Sequence, residues 1–350
     1  MRLTSCYRCN DTSMIVKDKG GDFLNSGTNI NLLYRIAKFY YEDKKTQQEI
    51  AEIENISRSQ ISRLLAKAFD CGIVEYHIAF PKPIDVEMIE KRIRQDLGLR
   101  KVILIPSQIE GNSILEEDER VHNLSLGAIN HIGSLLANYS HIGVGWGRSI
   151  YLTSLHLPYQ KARKDVSFIP LVGLSGNNNP NLQINIIVDR LSEKFRAKGM
   201  YINLVALREM GPLNYNEEKQ LEILRSNWSK IDAAIVGIGY SPKQSQTLIN
   251  EFSENYTKTV KRSNCIGDIL SNFYYEDGKF LDLDKNCTLI AYPVEELKKV
   301  KEVIAIAAGI NKRDAIMTAA REGYFKTLIT DYDTAQAIYD KLLKIKGENE

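Results

Sequence analysis

Apolar positions in the first eighty residues fall into three short helical groups. Over residues 31–41, NLLYRIAKFYY, Leu32, Leu33, Ile36, Phe39 and Tyr40 recur at the spacing of one helix face. Residues 46–68, TQQEIAEIENISRSQISRLLAKA, hold two more groups, Ile50, Ala51 and Ile53, then Ile61, Leu64 and Leu65. Each opens on a capping box, Thr46 with Glu49 and Ser57 with Gln60, so two helix starts lie eleven residues apart. Asn55 sits between them and tolerates the left-handed backbone a tight turn needs. Ala51 is small where two short helices cross, and Ile56 is placed to plug the gap between them. Caps, turn and small residue agree on the DNA-binding helix-turn-helix pattern, with an ordinary helical hairpin as the alternative. Gly72 is a C-terminal cap for the second helix of the pair. Residues 73–80, IVEYHIAF, alternate as a strand that suits a wing, and His77 within it reads as a surface or DNA-backbone residue.

Beyond Pro81 and Pro83 the pattern changes. Val86, Ile89, Ile93 and Leu97 form one narrow stripe over residues 85–97, a linker helix able to dock on the following domain or on its own copy in a second subunit. From Lys101 onward short apolar runs alternate with longer helical stretches. The runs are 102–106, 141–145, 166–172, 202–207, 232–238, 288–292, 303–307 and 327–330. Helical stretches at 121–139, 184–198, 216–228 and 312–322 separate several of them. Strand, helix, strand order predicts an α/β domain with a mostly parallel sheet covered on both faces, and ligands at the carboxyl ends of its strands. The domain reading is therefore residues 1–28 as a polar, disordered tail, 29–80 as a winged helix-turn-helix and 81–98 as a linker helix. Residues 99–345 are the α/β, ligand-binding domain, which the family resemblance given below makes an effector-binding and oligomerisation domain. Met14 inside the tail is an alternative start.

Composition narrows the function classes only slightly. A chain of 350 residues suits two domains, and its net charge of +2 names no partner. Residues 29–80 hold seven basic and seven acidic side chains, yet residues 57–68 hold three cations and no acid, so an electrostatic footprint on DNA is local. Five scattered cysteines argue against a disulfide framework and for a reducing cytosol. Cys6 and Cys9 form one C-x-x-C without a second pair to complete a zinc site. No apolar run approaches a membrane span, the first thirty residues lack a signal-peptide core, and no cofactor fingerprint is present.

Four loops after strands carry the candidate chemistry. In residues 143–149, GVGWGRS, alternate glycines (Gly143, Gly145 and Gly147) let backbone approach a ligand, and Arg148 and Ser149 open a helix whose N-terminus favours anions. The others are 173–177 (GLSGN), 237–240 (GIGY) and 309–313 (GINKR), with Asp268 after Gly267 as an acceptor for sugar hydroxyls. Each alone reads as a tight turn. Together they suggest a pocket for a small, polar, anionic ligand. An enzyme would need a poised base and acid, and the five histidines form no such constellation. Asp268 and Glu295 are the bases an enzyme reading would have to use. Lys312 suits a phosphate contact better than a Schiff base.

These ordered segments resemble the SorC family of bacterial sugar-responsive transcriptional regulators. The resemblance runs from about Leu32 to the C-terminal end. It is carried by residues 34–78, then GVGWGRSI, IPLVGLSG, NIIVDRL, AAIVGIGY, GDIL with FYYEDG, and VIAIAAGINKRDAIMTAAREGYFKTLITD. It implies an N-terminal winged helix-turn-helix and a C-terminal domain similar to the sugar-phosphate isomerase and deaminase superfamily, retained for binding without catalysis. It also implies a phosphorylated sugar effector, operator DNA, a homo-oligomer (dimer or tetramer) and a cytoplasmic location. The family's ligand loops map onto Gly145, Gly147, Arg148, Ser149, Gly173, Ser175, Asp268 and Lys312. Ser149 stands where members often have Thr, and residues 175–180, SGNNNP, are unusually rich in Asn. On the recognition helix Ser59, Gln60, Ser62 and Arg63 are expected to face the major groove, with Arg58 and Lys67 on phosphates. An active sugar-phosphate enzyme with a DNA-binding appendage is the main alternative. A nucleic-acid-binding protein whose second domain only oligomerises is the other.

Overall fold

The computed structural model describes residues 30–74, 85–106, 114–175, 182–209, 213–243, 254–282 and 287–347. The chain divides into two units, Met1–Ala79 and Phe80–Glu350, each described by itself below. The expected wing strand falls mostly on residues 75–80. That stretch, the tail with its two cysteines, and residues 176–181 lie outside the described residues.

Among the described residues the first unit is three helices, α1 (Ile30–Tyr41), α2 (Gln47–Glu54) and α3 (Arg58–Asp70). Both capping boxes form: Thr46 Oγ1 accepts the Glu49 N–H and Ser57 Oγ accepts the Gln60 N–H, while the Glu49 and Gln60 side chains reach back. Asn55 is left-handed, at φ 54° and ψ 42°. Gly72 follows the cap of α3 at φ 69°, and the Ile73 N–H returns to the Ala68 carbonyl at 2.9 Å, closing the last turn. Ile36, Ile50, Ala51, Ile61 and Leu65 make the core, with Ile56 packed on it as expected. Ile53 differs from expectation and is exposed. The single buried face of this eight-residue helix is used up by Ile50 and Ala51, and Arg35 on α1 clasps Glu54 next to it through two bonds of 2.6 Å.

The second unit opens on α4 (Val86–Asp96) and strand β1 (Lys101–Ile105). Then come α5 (Ile114–Leu135), β2 (His141–Val144), α6 (Arg148–His156), β3 (Ser167–Pro170), α7 (Ile184–Phe195), β4 (Lys198–Gly199) and β5 (Leu207–Glu209). Next are α8 (Tyr215–Trp228), β6 (Ala233–Val236), α9 (Glu254–Arg262), β7 (Gly267–Ile269), β8 (Asn272–Tyr274) and β9 (Cys287–Leu289). The unit closes with β10 (Glu302–Ile306), α10 (Arg313–Arg321), β11 (Thr327–Asp331) and α11 (Tyr332–Gly347). Seven strands form one sheet in the order β1-β11-β10-β6-β2-β3-β4, every pair parallel. Strands β6, β10 and β11 are buried along their whole length, which is why they read as unbroken apolar runs.

Two expected strands lie elsewhere. Lys198–Gly199 takes the sheet edge, and residues 202–206 run beyond it to β5, which pairs antiparallel with β9 in a separate two-stranded sheet. The stripe on α4 is covered by its own chain. Val86, Ile89, Ile93 and Leu97 are buried in the core of the second unit, where α4 packs on α11 and β1. It therefore docks on the following domain and offers that stripe to no second copy.

The chain order sets the place for a ligand. From β2 the chain moves outward to β3 and β4, and from β6 it moves the other way to β10 and β11. The direction reverses between β2 and β6, so the loops leaving their carboxyl ends diverge and open a crevice.

Candidate functional site

On the first unit, Arg58, Ser59, Gln60, Ser62 and Arg63 are all exposed and follow one another around the start of α3, with Lys67 half-buried two turns on. Their exposure follows from the core pattern, since Ile61, Leu65 and Ala68 take the opposite face. Gln60 is less free than its neighbours. Its Oε1 accepts from the Ser57 N–H and hydroxyl, each at 3.0 Å, so a two-pronged adenine contact would have to open the cap. Arg58 lines a cleft with Tyr40, Lys44, Lys45 and Gln47. Lys44 and Lys45 lie in the α1–α2 turn, Lys44 at φ 57°, and add two cations beside the capped start of α2. Sequence reading did not single them out, because flanking Glu42 and Asp43 cancel them in any count of charge.

On the second unit a cavity of about 140 Å³ sits at the carboxyl ends of β2, β6 and β10. The first three residues of α6, Arg148, Ser149 and Ile150, line it. Gly147 caps that helix at φ 132° without a side-chain bond, leaving the positive end of the helix facing the cavity. Lys312, Asp268, Trp146 and Tyr240 complete the polar and aromatic wall, and Lys312 Nζ lies 5.8 Å from the centre of the Tyr240 ring.

The glycines of these loops have local reasons. A Cβ on Gly239 would fall 1.7 Å from Asp268 Oδ1, so only glycine lets that carboxylate lie on the β6 loop. Gly145 is packed behind the wall, its Cβ position 3.0 Å from Leu270. Gly173 does not reach the cavity. It is glycine because the backbone of Leu204 and Ala206 crosses within 2.7 Å of its Cβ position. Ser175 is buried apart from the lining too, where its carbonyl accepts from Gln183 Nε2 at 3.2 Å. The structure thus brings Gly147, Arg148, Ser149, Asp268 and Lys312 together and leaves Gly145, Gly173 and Ser175 outside the lining.

The electrostatics differ from a simple anion hole. Arg148 is already held, by Glu117 Oε1 at 2.6 Å and by Asp118. Lys312 lies among Glu117, Arg148, Asp268 and Asp331, and burial pulls its pKa down. Burial likewise lifts the Asp268 carboxyl to about 6, against the pull of Lys312 and of the nearby Ser271 backbone N–H. Two cations and two carboxylates therefore share the walls. Sequence reading missed Glu117, Leu270 and Ser271, which enter the cavity only through the packing of α5 and of the β7–β8 hairpin, and it gave no role to Trp146 within the 143–149 loop. Glu295, weighed as a base, lies off the cavity lining, paired with Lys298 at 2.7 Å and taking the Tyr324 hydroxyl at 2.8 Å. His122 and His156 meet edge to face, their ring centres 5.1 Å apart, and neither lines the cavity.

Comparison with known proteins bears on both units. Residues 82–340 match the Sugar-bind model of sugar-binding domains, and residues 35–71 match region 4 of sigma-70 factors. The sorbitol operon regulator of Klebsiella pneumoniae is 26% identical over 325 residues, 90% of this chain and 99% of its own. Transcriptional regulator LsrR of Escherichia coli (strain K12) is 29% identical over 311 residues, 87% of this chain and 93% of its own. The crystal structure of the full-length Klebsiella pneumoniae regulator SorC aligns with a TM-score of 0.72 over 89% of this chain and 99% of that one. A DeoR family transcriptional regulator from Listeria monocytogenes, 25% identical, aligns at 0.62 over 72% of this chain and 98% of its own. These relatives are named as regulators of transcription, not as enzymes.

Proposed function

Since the chain belongs to the SorC family of sugar-binding transcriptional regulators, we propose that it controls a carbohydrate-metabolism operon in response to a phosphorylated sugar held in the second unit. The convergence of an uncapped helix N-terminus, Lys312 and the Asp268 carboxylate on one cavity carries this reading. The phosphate sits on the first turn of α6 and on Lys312, and it competes with Glu117 and Asp118 for Arg148. Asp268 accepts from the sugar hydroxyls, and Trp146 and Tyr240 flank the apolar face of the ring or chain.

In the first unit α3 enters the major groove of operator DNA. Arg63 and the adjacent serines contact bases, while Arg58, Lys44 and Lys45 contact phosphates. The protein works in the cytoplasm as a homo-oligomer, which places two recognition helices roughly 34 Å apart on one face of the duplex. The effector changes operator affinity only as far as it binds one arrangement of the assembly better than another. A thermal-shift screen of the intact protein against phosphorylated sugars and polyols tests the cavity. A shift with a phosphorylated compound and none with its free sugar supports the reading. The reverse result removes the phosphate from it. Turnover of any compound in the panel would move the protein to the enzyme class.

A further inference from the structure

We propose that Ser271 is a specificity-determining residue for the effector, its hydroxyl hydrogen-bonding the same sugar hydroxyl that Asp268 holds. The inference rests on the reading of the cavity as a sugar-phosphate site.

Three observations meet at this residue. First, Ser271 is 2% exposed and lines the cavity, and its Oγ has no hydrogen-bond partner among the described residues. Other buried hydroxyls are occupied, as where Ser125 Oγ donates to the Val121 carbonyl and Thr153 Oγ1 to that of Ser149, each at 2.7 Å. Thr327 and Thr330 also carry unpartnered hydroxyls, but neither lines the cavity. A buried hydroxyl left unpaired opposes folding, so an aligned ligand group is what would satisfy it.

Second, the backbone places this hydroxyl at some cost. Strands β7 and β8 pair Ile269 with Asn272, so Leu270 and Ser271 form a two-residue hairpin loop. Both are left-handed, at φ 51° and φ 63°. Such a loop favours Asn and Gly, and neither Leu nor Ser relaxes it. Hairpin loops of this kind normally point to solvent. Here both loop residues are buried, and both line the cavity. A strained, buried serine with an unused hydroxyl is poor for folding and useful only to something that enters the cavity.

Third, Ser271 stands beside the residue expected to hold the sugar. Its backbone N–H lies near enough to the Asp268 carboxylate to favour its charged form, and both residues line the cavity. Carboxylate and hydroxyl therefore present one acceptor and one donor to the same region. A sugar hydroxyl that donates to Asp268 and accepts from Ser271 Oγ–H uses both. A deoxy analogue leaves both unmet, which is how a site built around a hydroxyl rejects a ligand lacking it.

The test is isothermal titration of the intact protein with hexose and hexitol 6-phosphates, each beside its monodeoxy analogues. Wild-type protein should bind one parent compound and bind one of its deoxy analogues at least about tenfold more weakly. Ser271→Ala should lose about tenfold in affinity for the parent while binding that analogue unchanged, so the preference disappears. Ser271→Gly should show the same loss, and its ligand-free melting temperature should rise because glycine relaxes the left-handed position. The glycine variant also keeps the test open should the alanine variant fail to fold. If both variants keep the wild-type affinities and preference, Ser271 reads nothing and the proposal is overturned, while the cavity remains a sugar-phosphate site. If no compound binds the wild-type protein, the reading of the cavity falls and the role of Ser271 falls with it.

Discussion

Arg120 on α5 and Asp331 at the end of β11 form an ion pair at 2.6 Å with both side chains almost wholly buried. Asp331 also accepts from the Thr334 hydroxyl, and Thr334 Oγ1 accepts from the Gly309 N–H at 2.7 Å. The start of the loop that carries Lys312 is thus hung from a buried charge cluster. Arg120→Met leaves the Asp331 carboxylate buried with its arginine gone and should cost about 3–5 kcal/mol in unfolding free energy, read from urea denaturation. A loss below about 1 kcal/mol would mean that water or a side-chain shift relieves the charge.

Lys312→Ala should abolish the ligand response while leaving operator binding intact, because the lysine stands on the cavity wall of the second unit and the DNA-reading helix belongs to the first. The measurement is operator affinity with and without the compound found by thermal shift. Loss of operator binding without ligand would show that the substitution damages folding or assembly instead.

Asp268 makes stability depend on pH in an unusual direction. Its carboxyl is lifted to about 6, chiefly by burial, so the folded state holds its proton longer than the unfolded chain does. That contribution is fully present below about pH 4 and is lost as pH rises through about 6. Asp268→Asn, which keeps the neutral shape, should therefore melt at a higher temperature than wild type above pH 6, with the difference shrinking toward pH 4. A difference that stays constant from pH 4 to 8 would show that Asp268 titrates normally.

The DNA face separates base reading from positioning. Arg63→Ala should weaken the preferred operator by about 1–3 kcal/mol and relax the preference at one base pair. Lys45→Ala, in the α1–α2 turn, should weaken all sequences alike and lower the salt dependence by about one phosphate. Competition binding at two salt concentrations distinguishes them. Uniform weakening by Arg63→Ala would move that residue to the phosphate group.

Thr46→Ala removes one side of the capping box on α2 and should cost about 1 kcal/mol of stability. It should also reduce operator affinity, since the cleft formed with Lys44, Lys45 and Arg58 includes Thr46. Stability measured by denaturation and affinity measured on the operator report the two effects separately.

Local chemistry was enough to read the first unit. Capping boxes at Thr46 and Ser57, the left-handed Asn55 and the alternation of buried and exposed positions on α3 all act within a few residues, so they are written in the order of the chain. Unbroken apolar runs likewise announced the buried parallel strands β6, β10 and β11. Glycine alone was ambiguous. It marked Gly147, which opens the cavity, and Gly173, which only lets two backbone segments cross, because a missing Cβ does not say what fills its place.

The rest depended on contacts between distant residues. Nothing near Arg148 in the chain indicates that Glu117 and Asp118 would hold it from thirty residues away. Nothing beside Ser271 shows that a hairpin loop would turn inward and bury an unpaired hydroxyl against a cavity. Helix positions, the central strands of the parallel sheet and the family resemblance come from the sequence by itself, because propensity and periodicity are local. Which loops meet, which charges cancel, and which α4 face is covered were decided by the tertiary structure, because burial and Coulomb energy depend on distance through space, not along the chain.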